Sequence, residues 1–308
     1  FLVARGGPEG RPEGLPESPG STPAAVFRAM AAASFAGILA GLYAYAVGGD
    51  PAGIRLVYSQ RLYGFFKDTN VFASYMLVPF FHYARRFFDA PKHRESLPHA
   101  AVSAVLSAGI LLTFSRAAWL VYALGLAWLL VRTLVRGDPG RRLRAAVLGA
   151  VLALAAVLLL SGAVKVGSLD ISSILRSRMG LVSYDTKRFD AQRKAFDMLK
   201  ESPVFGIGPG LYEDRSDLSA HNLYLRILGE RGILGAAGFL AFAVLTVAGL
   251  RGRRTDPALI LALAGFLAES FFIDTLHWRH LWLVLVLVSR PEPGGNPGRD
   301  RMDRTKMG

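Results

Sequence analysis

Long apolar blocks without charge are the feature that most limits the fold of this chain. The segment Ala145–Val164 runs for 20 residues without a charged side chain. A helix of about 20 apolar residues crosses the ~30 Å hydrocarbon core of a bilayer. Charged residues make up only 19% of the chain, below the roughly 25% typical of soluble domains. We therefore predict an all-α, polytopic membrane protein that folds as a helical bundle.

Hydropathy predicts about eight transmembrane helices. Their approximate bounds are Ala29–Gly48, Thr69–Ala84, Pro98–Phe114, Ala117–Val131, Ala145–Val164, Ile233–Leu250, Pro257–Ile273 and Trp278–Ser289. A re-entrant hairpin around Asp274–Arg279 is the alternative for the last pair. The predicted organisation is a flexible Gly/Pro-rich segment (1–28), five helices (29–164), a long polar loop (165–232), three helices (233–289) and a basic tail (290–308).

The distribution of basic residues predicts the orientation. Of the 36 Lys and Arg residues, 20 fall in the segments on one side, and only five fall in the short loops on the other. Because cytoplasmic loops carry the positive excess, we expect both termini to be cytoplasmic and the loop 165–232 to be periplasmic. The net charge of +13 then indicates topology and attraction to anionic lipids, and we expect no nucleic-acid partner. The chain starts at Phe1, and we expect it to be the C-terminal part of a longer protein.

Acidic residues give little indication of a metal site. The long loop has no D-x-D pattern, and its one acidic cluster, Glu213, Asp214 and Asp217, is interpreted as a solvated turn. An acidic residue inside an apolar segment is costly and is a functional candidate by default. Glu269 is such a residue; it could help form a vestibule with Asp274, or it could pair across helices.

The long loop has a pattern of its own. Arg188–Glu201 is rich in helix formers, and its apolar residues recur at helical spacing on one face. We predict an amphipathic helix that lies against the membrane and ends at Ser202–Pro203. The turn-forming stretch Phe205–Gly210 follows; it is either a backbone cradle for a phosphate or a tight turn, and the turn is favoured because glycine is the default residue for such geometry.

A second helix is predicted to begin at Ser219, a suitable N-cap residue. His221 would then lie in the first turn, where the positive end of the helix dipole disfavours the imidazolium form. The sequence therefore predicts a neutral imidazole that can accept a proton.

Three blocks of residues occur in a fixed order. They are Arg61–Asn70 (RLYGFFKDTN), Thr113–Trp119 (TFSRAAW), and a set in the long loop comprising Arg188, Ser202–Pro203, Gly206–Gly210, His221–Asn222, Leu225 and Glu230. Together they resemble the O-antigen ligase and O-antigen polymerase family of bacterial inner-membrane glycosyltransferases. The resemblance covers the chain from about Arg61 to Ile233.

The resemblance implies a specific reaction. A glycan would be transferred from an undecaprenyl-diphosphate carrier to an acceptor hydroxyl at the periplasmic face of the inner membrane. The acceptor would be lipid A-core, a glycan or a protein, and membrane lipids would surround the enzyme. No cofactor is expected, and no metal is expected because fixed arginines would neutralise the diphosphate.

The family's functional residues match His221, Arg188 and Arg116 in this chain. We expect His221 to act as the base or to orient the acceptor, and the two arginines to bind the diphosphate. Weaker substrate-binding candidates are Arg61, Asn70, Arg193, Asn222, Gly208 and Glu230.

Each assignment has a structural alternative. His221 could cap or pack a loop helix, Arg116 could extend from its helix end towards water, and Arg188 could belong to a solvated face. Arg193 and Lys194 could contact lipid head groups, and Glu230 could pair with Arg226 one helical turn away.

Two other classes of function compete with the transferase. A membrane solute transporter, like the relatives of this family labelled as bicarbonate carriers, is the main alternative. It should show inverted repeats and broken helices that meet in mid-membrane, and the sequence shows no convincing repeat. A structural anchor is the other alternative, and it would not require Arg116 at a helix junction.

Overall fold

A computed structural model describes residues 23–48, 53–54, 56–58, 61–160, 183–216, 218–250 and 255–289. The predicted basic tail, most of the N-terminal segment and the first part of the predicted periplasmic loop lie outside the described residues, as does Asp217.

Within the described residues the chain forms ten helices and one short hairpin. The helices are α1 Pro23–Val47, α2 Thr69–Asp89, α3 His93–Leu112, α4 Arg116–Arg136, α5 Pro139–Leu160, α6 Ser183–Glu201, α7 Tyr212–Arg215, α8 Leu223–Gly249, α9 Pro257–Glu269 and α10 Arg279–Ser289. The antiparallel strands β1 (Val57–Tyr58) and β2 (Arg61–Leu62) pair Val57 with Leu62. Every predicted membrane helix overlaps an observed helix.

Four of the described helices are long and apolar enough to cross a membrane. They lie at Ala24–Val47, His93–Leu112, Arg116–Arg136 and Leu223–Leu250, and α9 and α10 are shorter apolar helices. The helical membrane class is therefore confirmed, whereas the number of eight spans stays a prediction.

Side-chain caps fix where several helices begin. The carboxylate of Asp68 accepts the N–H of Asn70 at the start of α2, and the Ser115 hydroxyl accepts the N–H of Ala118 at the start of α4. Asn222 caps α8 and Asp256 caps α9 in the same way. Each cap satisfies a backbone donor that the first turn of a helix leaves without an intrahelical partner.

The bundle is organised around α2, which packs against α1, α3, α4, α5 and α9. Glycines allow close approach at helix contacts within the bundle. A Cβ atom on Gly125 of α4 would lie 2.2 Å from the ring of Phe81 on α2, and one on Gly265 of α9 would lie 2.6 Å from Val121.

The loops separate into two ends of the bundle. At one end, α3 and α9 finish and α2, α4, α8 and α10 begin; we call this the site end. At the opposite end, Arg85 pairs with Asp256 at 3.0 Å and Arg132 pairs with Asp89 at 2.9 Å. These arginines belong to the segments that the charge distribution assigns to the cytoplasm.

The acidic residue inside the apolar segment pairs across helices. Glu269 ends α9 and is 1% exposed, and its carboxyl accepts a hydrogen bond from the Ser74 hydroxyl of α2. Asp274 instead pairs with Arg226. Of the two alternatives for Glu269, the structure therefore favours cross-helix pairing.

We expect Ser74→Ala to lower the free energy of unfolding by about 1–2 kcal/mol, because it leaves a buried carboxyl without its donor. Thermal unfolding in detergent measures the effect. Glu269→Gln is the matched control, since its amide oxygen can still accept the serine hydroxyl, and it should unfold close to the wild-type temperature. Equal stability of Ser74→Ala and wild type would show that the bond contributes nothing.

Candidate functional site

Two of the three sequence blocks meet through hydrogen bonds at the site end. The side-chain oxygen of Asn70 accepts from Nη2 of Arg61 at 3.3 Å and from the Ser115 hydroxyl at 2.8 Å. Nε of Arg61 donates to the carbonyl of Thr113 at 2.9 Å. Asn70 thus joins the hairpin, the start of α2 and the turn between α3 and α4. Two of the predicted substrate-binding residues, Arg61 and Asn70, are held in one group.

This group positions Arg116. The turn from α3 to α4 is only three residues long, and Ser115 both caps α4 and binds Asn70. Arg116 follows as the first residue of α4 and is exposed. The first turn of a helix carries the positive end of the helix dipole. A guanidinium at this position adds its own charge, and the two together attract an anion.

The helix that follows His221 begins later than the sequence predicts. Asn222, not Ser219, is the N-cap, and its side-chain oxygen accepts the N–H of Leu225 at 3.0 Å. His221 therefore precedes the helix instead of lying in its first turn. Tertiary contacts select this start, because Nδ2 of Asn222 donates to the carbonyl of Phe271 at 3.1 Å and the N–H of Leu223 donates to that of Ser270 at 2.8 Å.

His221 is nevertheless neutral, for a different reason from the helix dipole. Burial lowers the pKa of its imidazole from 6.5 to about 4, with a further contribution from the Arg188 guanidinium and a smaller opposing one from the Asp68 carboxylate. The structure thus brings together His221, Arg188 of α6 and Asp68 of the Arg61–Asn70 block. At neutral pH the imidazole can accept a proton.

Backbone strain is concentrated in the same region. Among the described residues, the non-glycine residues with positive φ are Phe114 (φ 49°) and His221 (φ 46°). This conformation costs residues with a Cβ of order 1–3 kcal/mol and occurs preferentially at functional sites. One of the two residues immediately precedes Ser115 and Arg116, and the other is the predicted base.

The glycine-rich stretch after α6 acts as a backbone clamp on α8; we use the name clamp for residues 203–210. The N–H of Gly208 donates to the carbonyl of Glu230 at 2.9 Å, and that of Ile207 donates to Gly229 at 3.1 Å. These amides bind the protein's own carbonyls, so the arrangement favours the turn over a phosphate cradle. The positive φ of Gly206 (72°) and Gly208 (121°) agrees with that interpretation.

The clamp lies against a break in α8. Gly232 has φ 62° and ψ −164°, so α8 consists of a short segment, 223–231, and the predicted membrane span that follows. A Cβ on Gly232 would lie 2.4 Å from the carbonyl oxygen of Val204, and one on Gly206 would lie 2.3 Å from the backbone of Arg231. Only glycines allow the two backbones to approach so closely.

Arg226 binds three carboxylates from different segments. Its guanidinium contacts Glu230 of α8 at 3.1 Å, Asp274 of the α9–α10 connection at 2.8 Å and Glu213 of α7 at 2.8 Å. The predicted Arg226–Glu230 pair is present within this larger cluster. Glu213 and Asp214 are exposed in a single helical turn, as expected of a solvated turn, and Glu213 in addition forms the ion pair with Arg226.

The two faces of α6 separate its arginines. Ala191, Ala195 and Met198 are buried in the contact with α8, and Arg188 is aligned with this face at helical spacing and is half-buried. Arg193 is exposed, in line with the exposed Phe189 and Phe196. This placement favours the lipid head-group alternative for Arg193 over substrate binding.

Sequence reasoning missed several residues that organise the site. Asp68 and Ser115 lie inside recognised blocks, and their capping positions before helices could have indicated them. The partnership of Arg226 with Asp274 spans 48 residues of sequence and has no local pattern. In the part of the chain that the structure describes, no group of His, Asp and Glu side chains is arranged to hold a metal ion.

Comparison with known proteins identifies a related family. No curated protein matches the chain. A family model does match, over residues 101–240, and its description is O-antigen ligase. The matched range includes Arg116, Arg188 and His221 and excludes the Arg61–Asn70 block. Residues 101–240 thus match the O-antigen ligase family, which confirms the resemblance carried by the sequence motifs.

Proposed function

We propose that this chain transfers a glycan from an undecaprenyl-diphosphate carrier to an acceptor hydroxyl at the periplasmic face of the bacterial inner membrane. The family match supports a ligase-like or polymerase-like glycosyltransferase. The observation that carries the more specific proposal is a half-buried His221 whose pKa is lowered to about 4 by burial and by the charge of Arg188. A proton acceptor and a diphosphate-binding cation are the two groups that this reaction requires.

The proposed step is a single displacement at the anomeric carbon of the glycan. The acceptor oxygen forms a bond to that carbon while His221 takes the hydroxyl proton. The bond from the same carbon to the diphosphate oxygen breaks, and undecaprenyl diphosphate leaves with the electron pair. Arg188 and Arg116 stabilise the charge that develops on the leaving group, because a guanidinium keeps its charge and can contact two phosphate oxygens.

The remaining predicted residues support this centre. Asn70 and Arg61 fix the turn that presents Arg116, and Asn222 fixes the helix that follows His221. Glu230 holds Arg226, and its backbone carbonyl binds Gly208. These contacts favour structural roles for Asn222, Glu230 and Gly208 over direct contact with the substrate.

Transfer assays with purified protein identify the class of acceptor. Purified protein should be incubated with undecaprenyl-diphosphate-linked glycan and, in separate reactions, with lipid A-core, with a second copy of the lipid-linked glycan and with a protein acceptor. We expect transfer to one of these classes, with the same rate in EDTA because the arginines replace a metal ion. Absence of product with every acceptor would contradict the transferase proposal, and inhibition by EDTA would contradict metal independence.

His221→Ala should lower the transfer rate by about 10²–10⁴-fold, the usual contribution of a general base. The exposed His277 lies near the same end and contacts Asp274 at 3.9 Å, so His277→Ala is the matched control and should keep most of the activity. Size-exclusion profiles in detergent verify that both variants fold. A His221→Ala variant as active as wild type would remove the base assignment.

The pH dependence of kcat/KM tests the electrostatic arrangement. A base must be deprotonated, so activity should fall only as the pH drops towards about 4, the pKa of His221. Arg188→Gln removes a positive charge that lowers this pKa, so the acidic limb of its pH profile should move to higher pH. Asp68→Asn removes a negative charge that raises the pKa, so the acidic limb of its pH profile should move to lower pH. Identical acidic limbs in all three proteins would show that His221 is not the titrating group.

A further inference from the structure

Exposed apolar side chains cluster on the loop segment beside the site. Phe205 is 71% exposed and Val204 is 54% exposed at the tip of the clamp, while Phe189 and Phe196 are exposed on α6. Large exposed aromatic residues on one face mark an interaction surface. The proposed reaction uses none of these four residues.

Backbone hydrogen bonds fix the position of the clamp tip relative to the apolar part of α8. The N–H of Ile233 donates to the carbonyl of Pro203 at 2.8 Å, and the N–H of Leu234 donates to that of Val204 at 3.1 Å. Ile233 and Leu234 begin the predicted membrane span of α8 and are each 60% exposed. Val204 and Phe205 therefore lie at the level where the lipid-facing surface of α8 begins, and their exposed faces continue that surface.

The side chains of α6 fall into three sectors at 3.6 residues per turn. One sector packs against α8 through Ala191, Ala195 and Met198. A second sector carries Asp190 and Asp197, which are exposed to water. The third alternates aromatic and basic residues along one line, in the order Phe189, Arg193, Phe196 and Lys200.

This alternation is typical of a helix that lies in a membrane interface. The aromatic rings enter the boundary between head groups and acyl chains, and the basic side chains reach the phosphates. A helix with one sector against protein, one against lipid and one against water fits the edge of a bundle at the bilayer surface.

We propose that Phe189 and Phe196 of α6, together with Val204 and Phe205 of the clamp, form a docking surface that inserts into the phospholipid head-group region at the site end of the bundle. The phosphates of the bilayer bind Arg193, and they bind Lys200 in place of Asp197, its exposed ion-pair partner at 2.9 Å. The surface fixes the height of α6, which carries Arg188, above the hydrocarbon core. If the proposed transferase function holds, this height places Arg188 at the level of the diphosphate of a carrier embedded in the same leaflet.

The chain is suited to a direct test because it contains no cysteine. Single-cysteine variants Phe196→Cys and Phe205→Cys would carry a nitroxide spin label in nanodiscs of phosphatidylethanolamine and phosphatidylglycerol. Collision with oxygen, which concentrates in lipid, and with a water-soluble nickel chelate reports the environment of each label. Asp214→Cys on α7 is the control for water, and Leu240→Cys on the span of α8 is the control for lipid; both positions are exposed.

We expect labels at 196 and 205 to be more accessible to oxygen and less accessible to the chelate than the label at 214, and shallower than the label at 240. Accessibility to the chelate equal to that at 214 would overturn the proposal, because the surface would face water. Protection from both reagents would also overturn it, because protein would then cover the surface. The measurement does not involve glycan transfer, so its outcome is independent of the proposed activity.

Discussion

The guanidinium of Arg226 holds together the segments that carry the candidate site. It binds carboxylates of α7, α8 and the connection between α9 and α10. The hydroxyl of Tyr212 on α7 donates a hydrogen bond to the carbonyl of Ala191 on α6. Helix α6 also carries Arg188. The segment of α8 that contains Arg226 starts directly after His221 and Asn222. The position of Arg188 relative to His221 thus depends on a charge balance outside the reacting centre. Loss of the one cation would leave the buried Glu230 and Asp274 facing each other, and an unpaired buried carboxylate is strongly destabilising.

Sequence reasoning succeeded where local physics decides the structure. Each uninterrupted apolar block overlaps an observed helix, because a helix satisfies its backbone hydrogen bonds within the segment, wherever it lies in the fold. Spacing also identified α6 and its end before Pro203. The family motifs placed Arg116, Arg188 and His221 inside the matched domain. The helix dipole was the wrong reason for expecting a neutral His221, because burial lowers its pKa instead. Ser219 and Asn222 are both suitable caps, and the contacts of Asn222 with Phe271 and of Leu223 with Ser270 select between them.

The features that sequence reasoning missed depend on contacts distant in the chain. Ser74 and Glu269 are 195 residues apart, and no local pattern connects them. The apolar residues of α6 were assigned to one face, whereas the fold separates small residues, which pack against α8, from aromatic residues, which stay exposed. The glycine-rich stretch has a composition that suits both a phosphate cradle and a turn. Only the position of the Gly229 and Glu230 carbonyls, which receive its amide protons, distinguishes the two.

The break at Gly232 has a mechanical consequence. A continuous helix behaves as a rod, so any change of inclination at one end moves the other. Membrane helices tilt to match bilayers of different hydrophobic thickness, and an unbroken α8 would carry that movement to His221. Gly232, with φ at 62°, interrupts that rod, and the carbonyls of Ser270 and Phe271 hold the segment before it in place. The clamp binds the backbone on both sides of the break, at 229–230 and at 233–234, so it resists a tilt of the predicted span before that tilt reaches the imidazole.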